Sequence, residues 1–172
     1  MQIIRIALAI CAPLAVTAGG AIAAGQPQMT LASTFGDWSL MTDTNAPHLF
    51  CFITSEPKSS QPTDAQRQPP RAYISAWPKD GIRAEVSFRM GFRVKKNTPG
   101  LATVSPAGFR LFGSEDRVYV TDSTRELKLV EAMRKGSTLT VAATPTNGAA
   151  VTDTYSLNGV ETALQKLQET CF

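Results

Sequence analysis

The chain has 172 residues, of which 43% are hydrophobic and 18% charged, and this is enough for one domain with a buried core. Its 17 basic and 14 acidic residues give a formal net charge of +3, which is too small to indicate a nucleic acid partner. The single histidine, His48, excludes a metal site built on a pair of histidines.

The first 24 residues are typical of a cleavable secretory signal peptide. Arg5 supplies the positive charge, an apolar run follows, and Ala21 and Ala23 supply the small residues that signal peptidase needs. The alternative, an uncleaved membrane anchor, is disfavoured because the apolar run is shorter than the roughly 20 residues of a spanning helix. We therefore expect residues 25–172 to form a soluble domain, periplasmic or secreted, with no membrane span after cleavage.

Most of the exported chain is predicted to form short β-strands, because apolar and polar residues alternate between turn-rich spacers. The predicted strands are residues 35–43, 48–55, 72–77, 83–90, 102–104, 109–112, 117–120, 138–142 and 151–157. In the second strand, Cys51 and Ile53 share one face while Phe50 and Phe52 share the other. Because both faces are apolar, we expect this strand to be central.

A proline-rich polar segment at residues 57–71 separates the first two predicted strands from the rest. We expect it to be a long loop rather than part of the core. A loop of this length is either mobile or functional, and mobility is the simpler interpretation.

Two helices are predicted in the C-terminal half. Ser123 and Glu126 match the S-x-x-E capping box at the start of the first helix, and Gly136 is its predicted C-cap. Its apolar residues at helical spacing are Leu127, Val130 and Met133. The strands and helices together predict a mainly β fold, an antiparallel β-sandwich with two short helices.

The second helix is predicted to begin at Asn158, with Glu161 as its N3 partner. Its apolar face is formed by Val160, Ala163, Leu164 and Leu167, and Cys171 falls near that face. Cleavage of the signal would remove Cys11 and leave only Cys51 and Cys171. An even number of cysteines in an exported chain suggests one disulfide, with two separate thiols as the alternative.

The sequence contains no recognisable catalytic set, cofactor motif or metal motif, so we expect a protein that is not an enzyme. His48 would have to be the base of any serine or cysteine triad, but its place beside a turn favours an ordinary surface histidine. Trp38 and Trp77 could form a sugar-stacking platform, although core positions are the default for single tryptophans in strands.

A cluster of basic residues lies near the end of one predicted strand. It contains Arg89, Arg93, Lys95 and Lys96. These side chains could contact an acidic surface or lipid headgroups, and a solvated strand end is the simpler interpretation.

Several short blocks of this sequence resemble the invasion-associated locus B family of exported bacterial proteins. They are residues 35–38 (FGDW), 51–52 (CF), 57–60 (PKSS), 133–137 (MRKGS) and 152–157 (TDTYSL) with Gly159. The resemblance implies an immunoglobulin-like β-sandwich, a periplasmic or surface location and no known catalytic activity. The founding members of the family are linked to bacterial invasion of host cells.

One departure from the family pattern bears on the disulfide. Many relatives have a cysteine at the position of Thr42, before Asp43, and its absence here leaves Cys171 as the partner of Cys51. The matching blocks also mark Trp38, Lys58 and Ser59 as residues of a partner-contact or structural motif. The same blocks mark Asp153 and Tyr155, for which a hydrogen bond to backbone or a salt bridge to an arginine is favoured over a ligand site.

Three functions are compatible with these patterns. The first is an envelope protein that binds a macromolecular partner, either a protein or another envelope component. The second is a module for glycans or small ligands that uses Trp38, Trp77 or the proline-rich segment. The third is a hydrolase dependent on His48. The sequence does not define the partner or the oligomeric state.

Overall fold

The computed structural model describes residues 28–43, 50–63 and 67–172. The predicted signal peptide with its Cys11, the first hairpin turn at residues 44–47 and His48 lie outside these ranges. In the part of the chain that is described, no helix has the length and hydrophobicity needed to cross a membrane.

Eleven antiparallel strands of the described residues form one continuous hydrogen-bonded sheet. They are β1 (Met29–Phe35), β2 (Trp38–Asp43), β3 (Cys51–Ser55), β4 (Ser59–Gln61), β5 (Arg71–Trp77), β6 (Ile82–Arg89), β7 (Gly100–Val104), β8 (Ala107–Ser114), β9 (Arg117–Val120), β10 (Thr138–Ala143) and β11 (Val151–Ser156). Their order across the sheet is β1-β2-β3-β5-β6-β9-β8-β7-β10-β11-β4. Each predicted strand overlaps one of these, while β1 and β4 are additional.

The sheet folds over so that its two ends face each other across one core. The rings of Phe88 on β6 and Tyr155 on β11 are 6.4 Å apart, although β9, β8, β7 and β10 lie between these strands in the sheet. The indole Nε1 of Trp38 on β2 donates to the carbonyl of Ser156 at the end of β11, at 3.0 Å. The predicted mainly β sandwich is therefore confirmed, with both layers supplied by a single sheet.

Alternation places most of the apolar core side chains on one face of the sheet. On β5, Ala72, Ile74 and Ala76 are fully buried, whereas Tyr73 and Trp77 occupy outward-facing positions and are half-buried. The central position predicted for β3 is also confirmed, because it pairs with β2 on one side and β5 on the other.

The helix α1 (Ser123–Lys135) begins one residue earlier than the predicted capping box implies. Asp122 is the N-cap, and its carboxylate accepts from the backbone N–H of Arg125 at 2.9 Å. Glu126 instead accepts from the backbone N–H of Val86 at 2.7 Å, which joins α1 to β6. Partial burial raises the pKa of the Glu126 carboxyl above its ordinary value. The capping box of Ser123 and Glu126 was therefore a wrong prediction.

The buried stripe of α1 is also shifted from the prediction. Leu127 is 63% exposed, and Leu129 occupies the core beside Val130 and Met133. The predicted C-cap at Gly136 is confirmed, since its N–H donates to the carbonyl of Ala132 at 2.8 Å.

The helix α2 (Val160–Cys171) begins after Gly159, which is its N-cap at a φ of 89°. A glycine suits this position because other residues rarely adopt a positive φ. The predicted N-cap, Asn158, is thus one residue early. The predicted apolar face is confirmed, as Val160, Ala163, Leu164 and Leu167 are all buried.

The proline-rich segment is not a plain loop. Within it, β4 adds an edge strand to β11, with Ser60 opposite Asp153. The Arg67 side chain, also from this segment, is only 5% exposed. The described parts of the segment therefore contribute to the packed structure.

A disulfide joins Cys51 on β3 to Cys171 at the end of α2. The two residues are 120 positions apart in the chain, and their Cα atoms are 6.5 Å apart. The bridge therefore attaches the C-terminal helix to an early, central strand of the sheet.

Replacing both cysteines by alanine is expected to lower the free energy of unfolding by about 2–4 kcal/mol, because the bridge restricts a long loop in the unfolded chain. Urea unfolding of both proteins measures this difference. Under reducing conditions the two proteins should have nearly equal stability, and a difference that persists there would argue against the bridge as its cause.

Candidate binding surface

The motif residues Trp38, Lys58 and Ser59 all lie around β11. Trp38 is fully buried, which excludes it from a sugar-stacking platform. The backbone N–H of Lys58 donates to Thr154 at 2.7 Å, and Ser59 pairs with Thr154 in the sheet. These three residues therefore hold β2 and β4 against β11.

The exposed Lys58 ammonium also forms an ion pair with Asp37, in the turn before β2. The hydrogen bond from Lys58 holds the pKa of the Asp37 carboxyl below its ordinary value. Because the pair lies at the surface, we assign it a minor part in stability.

Asp153, on the inner face of β11, is the centre of a buried polar network. Its side chain is fully buried and both carboxylate oxygens accept from the Arg67 guanidinium, one of them at 2.8 Å. Ser60 donates to the same carboxylate at 2.7 Å, and Arg67 also donates to the carbonyl of Met90 at 2.7 Å. The predicted salt bridge of Asp153 to an arginine is confirmed, with Arg67 as the partner.

Tyr155 lies two residues along the same inner face, fully buried in the core. Its hydroxyl has no hydrogen-bond partner among the described residues, so the predicted bond to backbone is wrong. Burial, reinforced by the negative charge of Asp153, raises the pKa of the Tyr155 phenol far above its ordinary value. Asp153 and Tyr155 are structural residues of the core in this fold.

The outer face of the sheet carries a set of aromatic side chains, most of them half-buried. We name it the aromatic face; it consists of Phe50, Phe52, Tyr73, Trp77, Phe112 and Tyr119. The rings form two clusters: centroids are 4.1 Å apart for Phe50 and Trp77 and 5.5 Å for Phe52 and Tyr73, while Phe112 and Tyr119 stack at 5.4 Å. From β3 to β8 the band crosses four strand intervals, or roughly 19 Å.

Arg117 lies within the aromatic face. Its guanidinium is 4.7 Å from the centroid of the Tyr73 ring and donates to the hydroxyl of Ser87 at 3.3 Å. Among the described residues, no carboxylate forms an ion pair with Arg117. The surface therefore holds a positioned positive charge against the Tyr73 ring.

An apolar groove continues the aromatic face toward the sheet edge. It is lined by Leu31, Met41, Phe52 and Tyr73, with Arg71 at one side, and has a volume of about 420 Å³. Leu31 on the edge strand β1 is 60% exposed, and Phe112 at the far end of the band is 47% exposed. Both ends of this surface are thus open to contact.

The outer face of the opposite layer has a different chemistry. On β10 and β11 it consists of Thr140, Ala142, Thr152, Thr154 and Ser156, all half-buried. This layer has no aromatic or charged side chain on its outer strand positions. The asymmetry marks the aromatic face as the candidate binding surface.

The sequence carries a signal for this surface, the two apolar faces of β3. Phe50 and Phe52 do share one face of β3, as predicted. That face is the outer face of the sheet. Alternation reports two apolar faces without reporting which one is buried. Of the predicted sugar-platform residues, Trp77 belongs to this surface and Trp38 does not. In the described residues, no group of histidine, cysteine, aspartate or glutamate side chains is arranged to hold a metal ion.

Asp153→Ala and Arg67→Ala are each expected to lower the free energy of unfolding by about 3–5 kcal/mol, since each leaves a buried charge without its partner. The double variant should lose less than the sum of the two losses. Urea unfolding of the four proteins measures this coupling. Strictly additive losses would contradict a direct interaction.

Tyr155→Phe is expected to keep or raise stability at neutral pH by up to about 1–2 kcal/mol, because it removes a buried hydroxyl without a partner. The pKa of Tyr155 is raised in the folded state, so the free energy of unfolding of the original protein falls as pH rises above about 10, where the phenol ionises in the unfolded chain but not in the folded one. Urea unfolding at about pH 8 and above pH 10 should show the variant gaining on the original protein. A large loss at pH 8 would indicate a hydrogen bond to the hydroxyl.

Comparisons with known proteins agree with this architecture. A search of curated proteins gives no match. Among solved structures, the crystal structure of invasion associated protein b from Bartonella henselae is similar, with a TM-score of 0.59 and 21% identity. The alignment covers 81% of this chain and 97% of that chain, and at this identity it supports the fold alone. The family model described as Invasion associated locus B (IalB) protein matches residues 38–168. Because this match covers well over half of the sequence, the chain belongs to the invasion associated locus B family.

Proposed function

We propose that this chain is an exported, non-enzymatic envelope protein that binds a protein partner through the aromatic face. The observation that carries the proposal is the pair of partly exposed ring clusters on one outer face, with Arg117 stacked on Tyr73. A surface of this kind is costly to leave in water, and large exposed apolar patches commonly mark interaction sites.

The composition of the surface favours a protein partner. Tyrosine, tryptophan, phenylalanine, methionine and arginine are the residues enriched at the centres of protein interfaces. The groove between Met41 and Tyr73 provides a place for an apolar side chain of the partner. Arg117 provides a donor for a partner carboxylate, since the described residues give it none.

Export is supported by the signal-like first 24 residues and by the disulfide between Cys51 and Cys171. A structural disulfide is stable in an oxidising compartment, such as the bacterial periplasm or the outside of the cell. The Bartonella henselae protein is invasion associated by name. For this chain we propose partner binding in the envelope or after secretion.

A photo-crosslinking residue at position 52 or 73 is expected to attach one and the same protein in intact envelopes, because both positions lie in the aromatic face. The matched controls are positions 140 and 152 on the threonine-rich outer face, which should not attach it. Mass spectrometry of the products identifies the partner. Equal products from all four positions, or none from the aromatic face, would contradict the proposal.

With the captured partner purified, Arg117→Gln and Tyr73→Ser are each expected to weaken binding by about tenfold or more. Thr152→Ser on the opposite face is the control and should bind as the original protein does. Calorimetry measures these affinities. Products that contain glycan instead of protein would favour the glycan-binding alternative and reject a protein partner.

A further inference from the structure

A second exposed feature lies away from the centre of the aromatic face. The chain between β6 and β7 runs beside the β8–β9 turn and forms a cleft of about 750 Å³. We name it the basic cleft; its lining includes Arg93, Lys95, Lys96, Asn97, Glu115 and Thr146. A smaller adjoining cleft shares Asn97 and adds Arg110. These residues include most of the basic cluster seen in the sequence.

The backbone that carries these basic side chains is fastened on both sides. On one side, the backbone N–H of Val94 donates to the backbone carbonyl of Glu115 at 2.7 Å. On the other side, the backbone N–H of Lys95 donates to the carbonyl of Thr144 at 2.8 Å. The backbone N–H of Thr146 donates to the carbonyl of Arg93 at 2.9 Å. The basic residues therefore project from a fixed backbone rather than from a free loop, which lowers the entropy cost of binding.

Close packing beneath the cleft supports the same conclusion. Val94 is buried, and a Cβ placed on Gly113 of β8 would lie 2.5 Å from its Cγ1 atom. The segment can thus lie directly on the hairpin only because residue 113 has no side chain.

The charges of the cleft are strongly unbalanced. Arg93 forms an ion pair with Glu115 at 2.9 Å, and this is the one acidic side chain in the lining. Lys95, Lys96 and Arg110 form no ion pair with any described residue and are exposed. Two unpaired lysines in the basic cleft, with Arg110 in the adjoining cleft and with hydroxyl and amide groups nearby, suit a ligand that carries more than one negative charge.

We propose that the basic cleft binds a phosphate group, that of a soluble phosphorylated molecule or that of a lipid headgroup. A phosphate presents several oxygens to separate donors, and lysine ammonium groups bind it as point charges. A single carboxylate would be satisfied by one arginine and would leave the other cations unused. This inference does not depend on the partner proposed for the aromatic face, because no residue of that face lines the basic cleft itself, and Phe112 lines only the adjoining smaller cleft.

The test is titration of the purified protein with inorganic pyrophosphate, and sedimentation with vesicles of phosphatidylglycerol or of phosphatidylcholine. The protein is expected to bind pyrophosphate, the phosphatidylglycerol vesicles or both, and binding should weaken as salt is added. The double variant Lys95→Gln/Lys96→Gln should weaken this binding by about tenfold or more. Binding in solution alone identifies a soluble ligand, whereas binding to anionic vesicles alone identifies a headgroup.

The matched control is Lys79→Gln/Lys128→Gln, which removes an equal number of positive charges from exposed positions outside the cleft. It should change the affinity by less than about twofold, because distant exposed charges are screened by salt. Equal losses in the two double variants would show attraction by net charge and overturn the proposal. Absence of binding in both arms would also overturn it. Phe52→Ser in the aromatic face should leave pyrophosphate binding unchanged.

Discussion

The buried carboxylate of Asp153 imposes the constraint on which much of this structure depends. A charge with no exposure to water has to be paired and hydrogen-bonded, because its desolvation is otherwise too costly. Its partner, Arg67, comes from the proline-rich segment and not from a neighbouring strand. The ion pair therefore holds that segment against β11. Arg67 also donates to the carbonyl of Met90, so the same side chain fixes the point where the chain leaves β6.

This constraint positions the segment that forms the basic cleft. With the end of β6 in place, the next residues cross onto the β8–β9 hairpin and form one wall of the basic cleft. On the other side of the sheet, buried Ile74, Val86 and Phe88 leave the alternate residues of β5 and β6 on the outer face. The aromatic face and the basic cleft are thus rigid surfaces of a packed domain, which suits them to recognition.

The outer faces of the two layers differ in their chemistry. Both layers contribute alternate residues to one core, so their inner faces obey the same rule. Their outer faces are free of that rule, and they differ: one carries rings and arginine, and the other carries threonine and serine. We infer that the difference reflects binding rather than folding, because a polar outer face is sufficient for a stable sheet.

The sequence by itself determined the mainly β class, nine of the strands, the two helices and the apolar face of α2. These features follow from the spacing of apolar residues and from nearby turn and cap residues, which are local in the chain. Local signals failed where two candidates stood side by side: Asp122 rather than Ser123 caps α1, and Leu129 rather than Leu127 is buried. In both cases contacts with β6 and the core selected between neighbours.

Only the tertiary structure decided the single folded sheet, the pairing of Asp153 with Arg67, and the surfaces. Residue 67 and residue 153 are distant in the chain, and β4 pairs with β11 across most of the sequence. Period-two alternation states that two faces of a strand are apolar, but the packing of other elements determines which face is covered. For the same reason, the basic residues could be recognised as a cluster in the sequence, whereas their arrangement around one cleft required the fold.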